Sequence, residues 1–380
     1  MTTAGGVMCA EERLQATIRL EKTDKVPNCP SLGYYPATCA EITPKQFLFD
    51  RERADAAVEK VFRVCGGWDV MMGQRFDAVA LPVIFPMKVR MPGVDLPEDS
   101  IHQLVEEEIM TVDDYDFIAE HGYGKFMSTY FSKIHPAIPP DQVPEMRARN
   151  LKAMKEDIDK WAERGVTTLI GGVSMEPFGR FSYMRSLAKF ALDIYRIPDR
   201  VKAAVDACLP DAIAMAKNMV DFTGIRRVFI GNARSSATFI SPKQYERFVL
   251  PYMEKLVEAL VAENITPVFH FDSDWTPFLP FFKEYPKGRC VLELDGSTDI
   301  FKAKEILGGH MCLMGDVSAS LLVLGTPEEV TDYCQKLIEV VGDGGGFIFS
   351  CGCEIPVNAR PENVKAMVKA GNELGWYNRE

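Results

Sequence analysis

Long apolar runs are missing from this 380-residue sequence: none approaches the roughly 18 residues a membrane-spanning helix requires. A basic surplus is missing too. There are 43 Lys and Arg against 54 Asp and Glu, a net charge of −11, with the two signs interspersed along most of the chain. A nucleic-acid binder needs a basic face to neutralise phosphates, so that class is excluded. Acidity alone is mostly a solubility trait, although it is compatible with a basic partner protein. The opening Met1-Thr-Thr-Ala-Gly-Gly-Val-Met-Cys-Ala has no basic segment leading into a long apolar stretch, so no signal peptide is visible. Ten cysteines (9, 29, 39, 65, 208, 290, 312, 334, 351 and 353) lack the spacing of a disulfide framework. Together these features point to a reducing cytoplasm, with most thiols acting as small buried hydrophobes. Low-complexity segments, Gly/Ser linkers and short repeats are also lacking, so the chain reads as one domain, 1–380.

What is present is alternation. Hydrophobic residues make up 47% and charged residues 26%, ordinary values for a globular protein. Amphipathic helices are expected over 10–22 and 51–66, with an extended, Pro-rich first strand near 26–33 between them. Further strands are expected at 78–84, 166–171, 227–231, 266–270, 289–293, 310–315 and 346–350. Helices at 145–164, 198–223, 242–263, 277–285, 299–306, 327–341 and 361–374 separate or follow them. That is the count of a (β/α)8 TIM barrel with N-terminal helices and loop insertions at its mouth. The largest insertion, about 85–150, reads as an elaborated loop region over the mouth or as an interface. The Gly342–Gly346 run precedes a strand rather than opening a helix, so it is a turn and not a phosphate cradle.

Four potential metal ligands fall at or just past the ends of these strands: His270, Asp272, Glu293 and Cys353. In an extended strand, positions two apart point the same way, so His270 and Asp272 can face one ion. Nitrogen, oxygen and sulfur donors on one rim make a zinc-site hypothesis, with Cys351 in reserve and Cys312 inside the intervening strand. The competing reading is a hydrogen-bonded histidine among ordinary rim acids. Glu176, Asp274 and Asp295 are rim candidates for proton donation, or else for hydrogen bonds to His270 and backbone. Asp316 is a rim acid or a helix cap. Tyr34, Tyr35, Met175, Phe178, Arg180, Asn232 and Arg234, with Phe85 and Met87, are expected to shape a substrate pocket that sandwiches an aromatic ring.

At these residues the chain resembles a family. Gly-Phe-Ile-Phe-Ser-Cys351-Gly-Cys353-Glu-Ile-Pro, followed by Ala-Arg-Pro-Glu-Asn-Val-Lys-Ala-Met, looks like the C-terminal signature of the uroporphyrinogen decarboxylase-like superfamily. Glu-Arg13-Leu-Gln-Ala-Thr-Ile-Arg-Leu-Glu-Lys-Thr-Asp-Lys-Val-Pro resembles its opening, so the likeness covers almost the whole chain. It implies a (β/α)8 barrel and, in the zinc-dependent methyltransferase branch, a His-x-Cys pair, sometimes a Glu, and a late Cys. His270, Glu293 and Cys353 match those positions, and Asp272 stands where the first Cys would be. An oxygen donor there makes a harder ion, better suited to an ether oxygen than to a thiol. The resemblance therefore implies the methyltransferase of an O-demethylase system, passing methyl from a methoxylated aromatic to Co(I) of a separate corrinoid protein. Cobalamin would arrive on that partner, since no Asp-x-His-x-x-Gly motif occurs in this chain. Docking would be weak and transient, and a homodimer is a family-level expectation. Alternatives are transfer from a methylated corrinoid to a thiol such as coenzyme M, a non-catalytic corrinoid-protein partner, and uroporphyrinogen decarboxylation. The last expects early arginines, and Pro30-Ser-Leu-Gly-Tyr-Tyr-Pro36 has none.

Overall fold

The structure, a computed structural model, describes residues 7–73 and 77–377. The start of the chain, on which the leader reading rests, lies partly outside the described residues. Six strands run parallel in the spatial order Phe347–Cys351, Cys312–Val317, Val291–Leu294, Thr266–Phe271, Arg227–Asn232 and Gly172–Met175.

The remaining segments close the ring. Thr167–Thr168 leads into Gly172–Met175 but pairs in parallel with Val70–Met71. Between the two stretches the chain changes partner: Leu169 N donates to Met71 O (2.7 Å) and Gly171 N to Arg227 O (2.8 Å). Asp69 N and Val70 N both donate to Asn28 O at 3.1 Å. Cys29 N donates to Phe349 O and Phe349 N to Pro27 O, each at 2.9 Å, which joins the first extended segment to the last strand. Eight extended segments thus form a closed parallel barrel, the (β/α)8 architecture.

The second strand differs from expectation. Residues 78–84 are not a strand but contain the helix Ala80–Ile84, and the barrel strand is Val70–Met71. The Asp77 carboxylate accepts from Val79 N (2.8 Å) and Ala80 N (2.7 Å), which starts a helical turn. Pro82 sits in that turn, where it would have broken a central sheet ladder. The helix expected over 242–263 is two, Pro242–Phe248 and Leu250–Ala262, divided at Val249. Other boundaries follow local chemistry. Ser241 and Thr326 form capping boxes and are followed by Pro242 and Pro327, whose missing N–H costs nothing at a helix start.

Helix Ala10–Ile18 plugs the base of the barrel, packing Leu14 and Ile18 against Val70, Val268, Val291, Cys312 and Ile348. Each fully buried side chain of this size contributes about 1.5–3 kcal/mol. Arg13 on the same helix donates to Asp24 (2.7 Å) and Asp69 (2.9 Å), and Lys25 pairs with Asp69 (2.9 Å). Residues 85–150 fold as a hairpin, Lys88–Arg90 with Gln103–Val105, then helices Asp113–His121 and Tyr123–Ile134. Among the described residues no helix is long and apolar enough to cross a membrane.

Candidate metal centre and cavity

His270 and Glu293 are direct neighbours in register on adjacent strands. That places the Glu293 carboxylate 2.7 Å from His270 Nδ1. Glu293 is 0% exposed, so it fixes the ring from behind and leaves Nε2 pointing into the mouth. Phe229 stacks on the imidazole with centroids 5.2 Å apart. Burial disfavours a charged ring, but the facing Glu293 carboxylate, aided by Asp272 and Cys353, outweighs it and raises the His270 pKa well above its usual value.

Nε2 lies 3.4 Å from Asp272 Oδ1 and 3.5 Å from Cys353 Sγ. The three donor atoms lie within 4.8 Å of one another. Tetrahedral zinc with bonds of about 2.0 Å to N and O and 2.3 Å to S sets donors about 3.3–3.6 Å apart, so the two measured separations fit such an ion. The fourth expected donor, Glu293, meets the other ring nitrogen and stands outside this group. Cys351 is also outside: its Sγ turns toward the carbonyls of Cys353 (3.3 Å) and Ser31 (3.6 Å), and burial pushes its thiol up to about 12. Cys312 is fully buried in the barrel interior.

Two local features aim the donors. After His270 the chain turns through Ser273 at φ 73°, and Asp295 Oδ2 accepts from Ser273 N at 3.0 Å. On the last strand Gly352 lies against Asp295, where a Cβ would sit 2.6 Å from the Asp295 carbonyl oxygen, so only glycine lets the Cys-Gly-Cys turn close.

The donors open onto a largely apolar cavity of about 460 Å³. Its walls include Met71, Met72, Phe85, Met87, Met127, Met175 and Phe229, with Arg180 and Asn232 among the polar groups. The insertion thus supplies one wall. The other expected pocket residues lie elsewhere. Tyr34 and Tyr35 are buried, Tyr34 OH meeting His102 Nδ1 at 3.0 Å. Phe178 is core, stacked on Phe248. Arg234 acts through a neighbour: it covers the ring of Tyr183, which lines the cavity, and is tied to Glu106.

The three rim acids are occupied by loop chemistry. Glu176, 0% exposed, caps helix Pro177–Arg185, accepting from Phe178 N and Gly179 N, both at 2.6 Å, and from Ser235 (3.1 Å) and Asn232 (3.3 Å). Burial pushes its carboxyl up to about 7 against the hydrogen bonds from Gly179, Phe178 and Ser235 and the nearby charge of Arg180. Asp274 accepts from Thr276 N at 2.8 Å, and Asp295 holds Ser273 and Ser297. None of the three lines the cavity. Asp316 accepts from Tyr333 OH at 2.7 Å.

The acids that do line it are Asp55, Asp157, Asp272 and Glu354, and the last, which directly follows Cys353, is not among the candidates the sequence suggested. Burial pushes its carboxyl up to about 7. Gly33 makes its space, since a Cβ there would fall 2.5 Å from Glu354 Oε2.

The chain matches the uroporphyrinogen decarboxylase (URO-D) family model over residues 10–374, and it belongs to that family. It is 28% identical over 212 residues to a uroporphyrinogen decarboxylase from Hydrogenovibrio crunogenus, covering 53% of this chain and 58% of that protein. A Photorhabdus laumondii relative of the same description is 27% identical over 265 residues, 67% of this chain and 73% of that one. One from Geotalea daltonii is 35% identical over 136 residues, 36% of this chain and 38% of that one. Some of these matches therefore span well under two thirds of the relative. Among solved structures, a methyltransferase from Methanosarcina mazei superposes with a TM-score of 0.68 at 18% identity, covering 96% of this chain and 99% of that one. That likeness shows the shared barrel fold.

Proposed function

We propose that this chain is a zinc-dependent methyltransferase that takes a methyl group from a methoxylated aromatic and passes it to Co(I) of a corrinoid carried by a separate protein. The single observation that carries the reading is the His270–Asp272–Cys353 group, spaced as zinc donors are and opening onto an apolar cavity. Zinc bound there would supply Lewis acidity to the ether oxygen, easing departure of a poor phenolate.

The chain's own residues do the rest. Glu293 keeps the His270 ring oriented and its Nε2 directed at the mouth. Asp272 supplies an oxygen where a thiol-activating site would carry a second sulfur. Phe229, Met71 and Met175 offer faces for an aromatic ring and exclude water from it. Glu354, on the same wall, is an acid available to the departing oxygen.

The decarboxylase named for the relatives acts on a macrocycle carrying many carboxylates. Pro30–Gly33, which line this cavity, contribute no cation to hold them; its lining cations, Arg147, Lys160 and Arg180, come from later segments. The reading is tested by anaerobic purification, metal analysis, and an assay of a methoxybenzene with a reduced corrinoid protein. Absence of bound zinc together with turnover of uroporphyrinogen would sink it.

A further inference from the structure

We infer that Thr298 is a positioning residue for the Asp272 carboxylate, the outermost member of a short stretch, residues 293–298, that sets the direction of all three donors. The consequence for metal binding rests on the function proposed above; the positioning itself rests on the following geometry.

Asp272 lies one residue past strand Thr266–Phe271, beyond the last paired residue of that strand. Its side chain is 40% exposed and meets His270 Nε2 at 3.4 Å. Packing therefore does not aim it, and its direction comes from the backbone on which it stands. That backbone is held at every polar group of the turn. Asp272 O accepts from the Trp275 indole N–H (2.8 Å), Ser273 N donates to Asp295 Oδ2 (3.0 Å), and Ser273 O accepts from Thr298 Oγ1 (3.0 Å). Asp274 N donates to Thr238 Oγ1 (3.4 Å), Asp274 O accepts from Ala237 N (3.0 Å), and Trp275 N donates to Thr298 Oγ1 (2.8 Å). The single Thr298 hydroxyl thus spans the turn, a donor on one side and an acceptor on the other. Ser273 stands at φ 73°, unfavourable for a residue with a Cβ, and such a conformation persists only where the surroundings over-determine it. Trp275, fully buried, stacks on Phe271 with centroids 4.1 Å apart, so the indole grips both the ring before Asp272 and the carbonyl of Asp272 itself.

Saturated hydrogen bonding alone would make a stable loop and no more. What ties this loop to the donors is where its partners come from. Within residues 293–298, Glu293 meets His270 Nδ1 at 2.7 Å, and Asp295 and Thr298 hold the turn that follows Asp272. The Asp295 carbonyl oxygen is also the close neighbour of Gly352, which precedes Cys353. One stretch therefore touches the segments that carry the nitrogen, the oxygen and the sulfur donor. Thr298 is fully buried and does not line the cavity, so its hydroxyl acts only through the turn. Without it, Ser273 O and Trp275 N lose their partner in a place closed to water, and the turn must rearrange to satisfy them. The approach of Asp272 to His270 is lost with it. Outer partners of this kind ordinarily set the affinity of the ligands they hold.

The test is zinc affinity, measured by chelator competition on the full-length protein, in a double-mutant cycle with no turnover required. Thr298→Val, which removes the hydroxyl at nearly constant volume, should weaken zinc about 10- to 100-fold. Thr298→Ser, which restores the hydroxyl, should recover most of that loss. In an Asp272→Ala background Thr298→Val should cost no further affinity, because the donor it places is gone. Undiminished affinity in Thr298→Val overturns the inference. So does an equal loss with and without Asp272, which marks a general loosening of the fold. Should the valine variant fail to fold, Trp275→Phe removes the N–H that holds Asp272 O; it should show the same loss and the same dependence on Asp272, and unchanged affinity there overturns the inference equally. Crystal structures of the metal-free proteins separate the two readings. If Asp272 stands beside His270 in the wild type and swings away in Thr298→Val, yet neither protein binds zinc, the positioning stands and the zinc reading fails alone. If the wild type binds zinc and the variant binds it as tightly, the positioning fails alone.

Discussion

At the N-terminal ends of the strands, Arg13 binds Asp24 and Asp69, Lys25 binds Asp69, and Arg227 binds Glu11, which Thr167 also meets. At the C-terminal ends, His270, Asp272 and Cys353 converge on one another, and Glu354 carries a raised pKa. Both regions concentrate charge in half-buried surroundings. Below, every buried cation has its partner within the chain, which fixes helix Ala10–Ile18 as a plug. Above, three donor groups meet one another at the cavity mouth, as the proposed metal site requires. On the proposed function, the contrast separates groups that hold the fold from groups that would hold a ligand.

The largest effect should come from the base. Arg13→Met strands two carboxylates and should lower unfolding free energy by about 3–5 kcal/mol in urea titrations, with zinc affinity of the folded protein unchanged. Its counterpart at the mouth, Cys353→Ala, should reverse the pattern. Zinc affinity should fall by more than the roughly 100-fold upper range for outer-shell partners, while metal-free stability shifts by less than about 0.5 kcal/mol. A variant that still holds a full equivalent of zinc removes Cys353 from the donor set. Glu293→Gln should be intermediate, weakening zinc about 10- to 100-fold by loosening the imidazole.

The smallest of these effects is graded by pH. Burial raises the Cys353 thiol above its usual value, so a proton competes with the metal across the neutral range. On the proposed function the ion would bind the thiolate, so affinity should rise with pH, by about tenfold per unit from this group alone, until the thiol pKa is passed. Competition titrations between pH 6 and 8 that show no dependence would mean the thiol is not a ligand. Arg13→Met should leave that slope intact.

Much of the barrel was legible because its helices announce themselves: Ser241-Pro242 and Thr326-Pro327 carry both cap and N1 proline. The second strand was not. Val70–Met71 is too short to show a period, whereas the apolar run ending at Ile84 offers a better strand pattern yet is helical, with the Asp77 carboxylate accepting from Val79 N and Ala80 N at its start. At the site, the alternation of His270 and Asp272 and the late Cys353 could be read from strand ends. The role of Glu293 could not, since ligand and ring-orienting acid occupy the same kind of position and differ only in which imidazole nitrogen they meet. For Glu176, Asp274 and Asp295 the sequence left proton donation and backbone hydrogen bonding both open for a related reason, and the structure shows the hydrogen bonds. Acids after strands also satisfy the N–H groups of the loops they begin, and a sequence does not say which demand is met first.

The ring is sealed where Phe349 exchanges hydrogen bonds with Pro27 and Cys29, and the sulfur donor lies four residues beyond Phe349. During translation His270 and Asp272 leave the ribosome more than eighty residues ahead of Cys353. A nascent chain therefore carries the histidine and carboxylate with no thiolate to complete them. On the proposed function, a metal ion would be gripped by all three donors only once the polypeptide is almost finished.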